Sequence, residues 1–384
     1  MKVVSHTIGR KTALWLPGPN KYVLADPVAG EMARQINDGL EKEAIVDLFV
    51  KTRAYPEEKI IQAERELRQL MEGKDVLKQR ESNESSRLSL DHKSKSTVFT
   101  ERFYHISDQI FRVTFSSVDA ELIIHPKFAH LQGKPVKSPN HQFRVFHANN
   151  HYTLNVNGEW IGTWPEYRDH FFAGMFSQKL LEKIYAKKVT EWMGVFHASA
   201  VNCENSCLLF AGDSGSGKST LAALLFSRGF DVLADDFVPV ESESGRVFRF
   251  PAALSVKKGA AELLSASFGD LKKAKEFHFQ KTGKSVKYLD INYNTKNLGA
   301  SVPVNGLVFV NYSADCRFQL EELSPEEAFA HLVPDSWIYP SEENATRFLK
   351  WFSNLRCFML TYSDNEMMVA EIKKLFQKVK PETV

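Results

Sequence analysis

The feature that most constrains this chain is a phosphate-binding loop at residues 212–219. The loop reads GDSGSGKS and matches the pattern G-x-x-x-x-G-K-[ST] in full. An apolar segment at 207–211 precedes it and a helical pattern at 221–227 follows it, which is the strand–loop–helix context the motif needs. Glycines let successive backbone N–H groups face an anion, and the helix N-terminus adds its positive dipole end. The sequence therefore predicts a nucleoside triphosphate site.

Individual residues of this loop have expected roles. The ammonium group of Lys218 is expected to reach the outer phosphates, and the hydroxyl of Ser219 is expected to ligate Mg²⁺. The predicted nucleotide-binding residues are Gly212, Asp213, Ser214, Gly215, Ser216, Gly217, Lys218, Ser219 and Thr220.

Two adjacent carboxylates, Asp235 and Asp236, follow the next predicted strand at 232–234. In an α/β layout the carboxyl ends of strands line the ligand crevice, so both side chains can face the bound phosphates. One of them could hold Mg²⁺, and the other could take the proton from an attacking hydroxyl. The alternative is a solvated acidic turn.

A lone histidine, His197, lies in the apolar segment 195–201. Most such histidines are core residues whose hydrogen bonds are satisfied. The functional alternative is contact with a catalytic carboxylate, whose basicity the imidazole would tune. The residues alone leave both alternatives open.

Composition excludes several classes of protein. The chain has 384 residues, enough for two or three domains, and its net charge of +2 gives no basic field for a nucleic-acid partner. The four cysteines form no pair at metal-ligand spacing, and so few thiols fit a reducing compartment. The N-terminus lacks an apolar signal region, and no apolar run approaches the ~18 residues of a membrane span. We expect a cytoplasmic protein without a membrane partner.

The pattern of elements predicts two domains and a linker. Residues 1–75 contain two short strands and three helices, which predicts a small α+β, winged-helix-like domain. Residues 76–97 are polar and rich in serine, which is typical of a linker. Residues 98–384 form the larger domain, with a β-rich part and one helix at 98–190 and the P-loop core at 191–384. The strands predicted in this domain are 110–115, 121–125, 143–147, 152–156, 160–164, 195–201, 207–211, 232–234, 248–250 and 306–310; the helices are 167–187, 221–227, 325–332, 342–354 and 365–379.

Four segments of the larger domain together resemble the HPr-kinase-like family, whose catalytic domain is similar to phosphoenolpyruvate carboxykinase. They are His197-Ala198, GDSGSGKST at 212–220, Arg228-Gly229-Phe230 and Ala234-Asp235-Asp236. The resemblance implies an α/β P-loop kinase domain of the phosphoenolpyruvate carboxykinase-like type that uses ATP. It implies that Asp235 is the catalytic aspartate, that His197 assists it, and that Ser219 and Asp236 lie around the metal. Lys218 is a further catalytic candidate, expected to stabilise the transition state. Members of that family form oligomers, so the resemblance allows a homo-oligomer.

Weaker resemblances concern the flanking regions. Lys257, at the end of 250–257, and Lys287, in Lys287-Tyr288-Leu289, resemble basic positions of HPr-kinase-related proteins, which makes them candidates for phosphate or substrate contact; the alternative is a solvated lysine. The segment YVLADPVAGEM, with the helix that Pro56 begins, resembles a PqqD-type peptide-recognition domain. The sequence departs from HPr kinase/phosphorylase at Thr220, where that enzyme usually has Glu, and its second signature region is not found, so the resemblance does not extend to HPr as the substrate or to phosphorylase activity.

Three functions are compatible with these residues. The first is a kinase that transfers the γ-phosphoryl group of ATP, with Mg²⁺, to a hydroxyl of a peptide, a protein or a small metabolite. The second is a P-loop ATPase or nucleotide-dependent switch, in which water is the only phosphate acceptor. The third is a peptide-binding module with a vestigial nucleotide site. The paired acids favour the first function, and the sequence does not identify the acceptor.

Overall fold

The structure is a computed structural model that describes residues 2–53, 55–72, 99–279, 283–291 and 300–379. The predicted linker at 76–97 lies outside these residues. The described part is a mixed α/β protein built on several sheets. Within it, no helix is both long enough and apolar enough to cross a bilayer.

The N-terminal unit is a three-stranded antiparallel sheet followed by three helices. The elements are β1 (Val4–Ile8), β2 (Lys11–Leu16), β3 (Lys21–Ala25), α1 (Pro27–Asn37), α2 (Lys42–Arg53) and α3 (Glu57–Glu72). The Asp26 carboxylate caps α1, as the sequence predicts, by accepting from the backbone N–H groups of Val28 and Ala29. Strand β1 is absent from the predicted pattern, because its sequence VSHTI is short and only partly apolar.

The β-rich part is a five-stranded sheet that packs against two helices. Its elements are β4 (Thr100–Ile106), β5 (Gln109–Phe115), α4 (Val118–Phe128), β6 (His141–Ala148), β7 (His151–Val156), β8 (Glu159–Pro165) and α5 (Asp169–Tyr185). The strand predicted at 121–125 is wrong, since these residues belong to α4. Strands β5 and β6 are parallel, so a crossover has to join them, and Ser117 caps the helix that does so.

The largest sheet has ten strands and carries the predicted P-loop. Along the chain, the remaining elements are β9 (Trp192–Phe196), β10 (Ser199–Cys203), β11 (Ser206–Ala211), α6 (Lys218–Ser227), β12 (Asp231–Asp235), β13 (Val238–Glu241), β14 (Arg246–Val247), β15 (Leu254–Lys257), α7 (Lys258–Leu264), β16 (Glu276–Phe279), β17 (Lys284–Leu289), β18 (Val302–Tyr312), β19 (Phe318–Glu322), α8 (Pro325–Leu332), β20 (Ser336–Ile338), α9 (Glu342–Ser353), β21 (Arg356–Tyr362) and α10 (Asn365–Val379). The order is β12-β10-β11-β18-β14-β13-β9-β20, and β21 pairs with both β18 and β19. Strands β15, β17 and β16 form a separate small sheet.

Two predicted strands of this core differ from the structure. The segment 195–201 is divided between β9 and β10, because the chain turns at His197 and leaves one part of the sheet for another. The segment 248–250 is not a strand, and the pairing falls instead on Arg246–Val247. Phe248 and Phe250 still donate backbone hydrogen bonds, to Pro239 and Leu233 respectively.

The arrangement of β10, β11 and β12 brings the predicted site residues together. Strand β10 lies between the other two and runs antiparallel to both, so β11 and β12 point the same way. The P-loop leaves the carboxyl end of β11, and Asp235 ends β12. Ser199, the first residue of β10, lies opposite Asp235 in the ladder. The loop, the acids and the turn at His197 therefore meet at one edge of the sheet.

Candidate functional site

The phosphate-binding loop has a backbone that only glycine allows at its first position. Gly212 has φ +137°, and a Cβ there would lie 2.8 Å from the Val310 carbonyl oxygen. Lys218 begins α6 and is buried, and its Nζ donates to the carbonyl oxygens of Gly212 at 2.6 Å and Asp213 at 3.0 Å. Burial lowers the pKa of this ammonium group, against the opposing charges of the two aspartates. The loop thus encloses the Lys218 ammonium group, beside which the sequence predicts the phosphate chain.

Asp235 is enclosed by three hydrogen-bond donors. Its side chain is buried, and Oδ1 accepts from Ser199 Oγ at 2.5 Å and from Ser219 Oγ at 3.1 Å. Oδ2 accepts from the backbone N–H of Ser255 at 3.4 Å. Burial, and after it the charge of Asp236, raise the pKa of Asp235 to about 7, and the three hydrogen bonds oppose that rise. The contact with Ser219 joins this carboxyl group directly to the P-loop.

Asp236 has different surroundings, although it is the next residue. Its backbone has φ +61°, a left-handed conformation that is uncommon for a residue other than glycine. Its side chain is 35% exposed, and Oδ1 lies 3.9 Å from His197 Nδ1. Oδ2 accepts from Ser255 Oγ at 3.4 Å. The left-handed turn therefore leaves one carboxyl group buried and the next one open to solvent.

A cleft of about 520 Å³, here called the loop cleft, opens above these groups. It is lined by His197, Ser214, Gly215, Gly217, Lys218, Ser219, Thr220, Asp236, Ser255, Lys257, Gly259, Ala260, Leu263, Val286, Tyr312, Tyr362 and Asn365. Most of the predicted site residues thus share one cavity. Among the others, Gly212, Asp213 and Ser216 complete the loop beneath it, and Asp235 lies below its floor.

The structure places the two candidate lysines differently. Lys257 ends β15, lines the loop cleft, and has its Nζ 3.4 Å from the Ser214 hydroxyl. Lys287 instead donates to the carbonyl oxygens of Leu271 and Lys272, at 2.9 and 3.1 Å. The structure therefore brings Lys257, but not Lys287, to the phosphate-binding loop, and Lys287 stabilises the turn that follows α7.

Several residues of the site have no signature in the sequence. Ser199 and Ser255 hold the carboxyl groups, and the aromatic pair Tyr312 and Tyr362 packs edge to face at 5.6 Å beside Gly217. Tyr362 has a fully buried side chain, and within the described residues no atom forms a hydrogen bond with its hydroxyl. Since this tyrosine also lines the loop cleft, its hydroxyl is a buried, unsatisfied donor close to the loop.

The side-chain oxygen atoms at the loop are suitable ligands for a hard divalent cation. The Ser219 hydroxyl and the Asp235 carboxyl group present oxygen atoms side by side, the ligand type that Mg²⁺ prefers. Among the described residues, no three His, Cys, Asp or Glu side chains form a metal-binding group. A cation there would need phosphate oxygens and water as its other ligands, as Mg²⁺ does in P-loop sites.

Comparisons with known proteins identify no family for this chain. No protein-family model matches the sequence, and none of the curated proteins matches it. The HPr(Ser) kinase/phosphatase from Coxiella burnetii is one solved structure with some similarity: the match covers 49% of this chain and 99% of that one, at 11% identity and a TM-score of 0.24. A TM-score this low supports no argument about fold or activity. The HPr-kinase-like and PqqD-type resemblances therefore stay predictions.

Proposed function

We propose that this chain is a kinase that transfers the γ-phosphoryl group of ATP to a hydroxyl group. The observation behind the proposal is the contact of Ser219 with Asp235 at the P-loop, beside a second, solvent-accessible carboxylate on Asp236. The loop supplies a triphosphate site, and the enclosed pair supplies oxygen ligands for a cation. The open carboxylate supplies a proton acceptor in the same cleft.

The geometry favours roles for the two aspartates that reverse those implied by the family resemblance. Asp235 is buried next to the loop and its Oδ1 is hydrogen-bonded to the Ser219 hydroxyl, so we assign it, with Ser219, to Mg²⁺. Bound Mg²⁺ would neutralise charge on the phosphates. Asp236 lines the cleft and can meet an incoming hydroxyl, so we assign it as the general base, with His197 beside it.

The reaction then follows from positions along the cleft. Backbone N–H groups of the loop and the ammonium group of Lys218 hold the phosphates. The acceptor hydroxyl gives its proton to Asp236 as its oxygen bonds to the γ-phosphorus. The bond from that phosphorus to the bridging oxygen breaks, and ADP leaves with the electron pair. His197, 3.9 Å from the carboxylate, can stabilise or receive the proton.

Labelled ATP and aspartate variants test this assignment. Asp236→Asn should keep MgATP affinity within about twofold while transfer falls by ~10²–10⁴-fold, because only the proton acceptor is lost. Asp235→Asn should weaken Mg²⁺-dependent nucleotide binding itself. Asp108→Asn, at an exposed turn between β4 and β5, is the matched control and should behave as the parent protein. Equal transfer rates for Asp236→Asn and the parent would remove Asp236 from its role.

The identity of the product separates the kinase from the ATPase alternative. A kinase leaves the γ-phosphate on an organic product, whereas an ATPase or switch releases only free phosphate. The acceptor is either a small hydroxylated molecule or a serine of a peptide or protein. Delivery of a peptide by the N-terminal unit is the proposal that its PqqD-type resemblance suggests. That unit packs on α8 and α9 through Tyr22 and Gly9, away from the residues that line the loop cleft.

A further inference from the structure

A second cleft, of about 410 Å³, lies between α4 and the small sheet of β15, β17 and β16. We call it the side cleft; its charged and polar lining consists of Arg102, Glu121, His125, His130, Lys275, Tyr288 and Asp290. The backbone bond from Ala253 N–H to the Lys127 carbonyl fixes the start of β15 to α4 along its edge. Its volume suits a small metabolite.

The side cleft and the loop cleft are neighbours along one face of strand β17. Val286 and Tyr288 are two residues apart on this strand, so their side chains point to the same face, roughly 7 Å apart. Val286 lines the loop cleft and Tyr288 lines the side cleft. In the ladder, Tyr288 lies opposite Ser255, whose hydroxyl donates to Asp236. One residue, Ser255, thus separates Tyr288 of the side cleft from the proposed general base.

The polar groups of the side cleft give it no net charge. Arg102 and Glu121 form an ion pair at 2.6 Å and cancel each other. Burial lowers the pKa of His125, and also that of His130, so neither ring adds a positive charge at pH 7, and Nδ1 of His125 is hydrogen-bonded to the Tyr104 hydroxyl at 2.9 Å. The remaining charges, Lys275 and Asp290, are of opposite sign. Such a lining suits a molecule that has many hydroxyl groups and no strong charge.

Apolar side chains complete the side cleft. Val118, Leu122, Pro126 and Phe277 also line it. Mixed apolar and hydrogen-bonding walls suit a carbon ring or chain that bears hydroxyls, because both its C–H faces and its O–H groups find partners.

We propose that the side cleft binds the phosphoryl acceptor, an uncharged polyhydroxylated small molecule, and directs one of its hydroxyl groups to Asp236. This inference depends on the proposed kinase function. The acceptor O–H bond breaks, its proton passes to the Asp236 carboxylate, and the oxygen forms the new bond to the γ-phosphorus. The γ-phosphorus loses its bond to the bridging oxygen of ADP, so the products are a phosphomonoester, ADP and a proton.

The test uses the full chain, labelled MgATP, and a panel of myo-inositol, D-ribose, D-glucose and glycerol as probes. The parent protein should phosphorylate at least one of them. Ala274→Trp places an indole in the side cleft and should raise the acceptor KM by at least about tenfold, with an unchanged dissociation constant for ATP. Val118→Trp, at an exposed position of the rim, serves if Ala274→Trp does not fold. Ala266→Trp, an exposed alanine outside both clefts, is the matched control.

The outcomes separate this inference from the kinase assignment. If ATP binds and is hydrolysed but no panel member is phosphorylated, or if only peptides are, the side cleft is not an acceptor site of this class. The same conclusion follows if a panel member is phosphorylated with equal KM by Ala274→Trp, Val118→Trp and the parent. Failure of the parent to bind ATP would instead refute the kinase function itself.

Discussion

At the scale of single residues, the buried carboxyl group of Asp235 should make the metal-free protein sensitive to pH. Its pKa in the fold is about 7, above its value of about 3.8 in an unfolded chain, so the fold prefers the protonated form. Between these values the unfolded state loses its proton first, and stability therefore falls as pH rises. The loss of unfolding free energy is complete above pH 7. It should amount to about a few kcal/mol, the free energy that corresponds to the difference between the two pKa values.

Asp235→Asn removes this titration and keeps the shape of the side chain. With chelator and without nucleotide, the variant should gain stability relative to the parent as pH rises from 5 to 8. Urea unfolding at each pH measures the difference, and Asp108→Asn should show no such trend. Curves that stay parallel for Asp235→Asn and the parent would show that Asp235 is already ionised in the folded protein at pH 5.

The buried hydroxyl of Tyr362 should contribute to nucleotide affinity. It lies beside Gly217 with no hydrogen-bond partner among the described residues, so a bound phosphate or ribose oxygen would relieve an unsatisfied donor. Tyr362→Phe should weaken ATP binding by ~3–10-fold, the value of about one hydrogen bond, without loss of stability. Calorimetric titration with MgATP measures this change.

Tyr22 provides the matched control for that experiment. Its hydroxyl is also buried without a described partner, but its ring packs on Phe329 and Phe348, away from the loop cleft. Tyr22→Phe should leave ATP affinity unchanged. If both variants bind ATP as the parent does, Tyr362 is a packing residue only.

At the scale of elements, the junction of β11 with the P-loop depends on the missing side chain of Gly212. Gly212→Ala adds a Cβ 2.8 Å from the Val310 carbonyl oxygen and also strains a positive φ. Gly158→Ala, in the turn between β7 and β8, has the same sign of φ (+89°) with open space around it. Gly158→Ala should lower the free energy of unfolding by about 1 kcal/mol. Gly212→Ala should lower it by more and should also abolish ATP binding. Equal costs, measured by denaturant unfolding, would show that the loop moves freely away from β18.

Elements with strong local signals are predictable from the sequence. Helices α8 and α10 have the predicted bounds, because Ser324-Pro325 marks the first start and a regular apolar face marks the second helix. The run ELIIH at 121–125 fits a strand or a buried helix equally well, and only the parallel pairing of β5 with β6 decides for the helix. Pairings between distant segments are not encoded in any local pattern.

The candidate site also has a part that the sequence predicts and a part that depends on distant segments. The loop and the two acids are contiguous motifs, so their meeting at one sheet edge follows from strand–loop–helix geometry. Which acid is buried depends on the left-handed backbone of Asp236 and on the donors Ser199 and Ser255, which arrive on other strands. Tyr362 reaches the loop from the end of β21, and no spacing in the sequence indicates it.

At the scale of the whole molecule, the N-terminal unit shares a core with the P-loop domain. One face of its sheet packs on its own helices, with Leu14, Met32 and Phe49 buried between them. From the other face, Ile8 and Ala13 join the large core, and the Tyr22 ring meets Phe348 of α9 at 5.1 Å. Unfolding of either part would expose apolar surface on the other, so we expect them to unfold together.

Phe348→Ala tests that coupling, with Phe376→Ala as its counterpart. Both phenylalanines are buried in helices, but Phe376 packs on Phe230 in a cluster that contains no N-terminal residue. Each truncation should cost ~3–5 kcal/mol. Native-state hydrogen exchange should show that Phe348→Ala lowers protection in β2 and β3 as well as in α9. Phe376→Ala should lower protection in β2 and β3 only by as much as it lowers the free energy of global unfolding. If Phe348→Ala lowers protection in α9 alone, the two units unfold independently, and the shared core does not couple them.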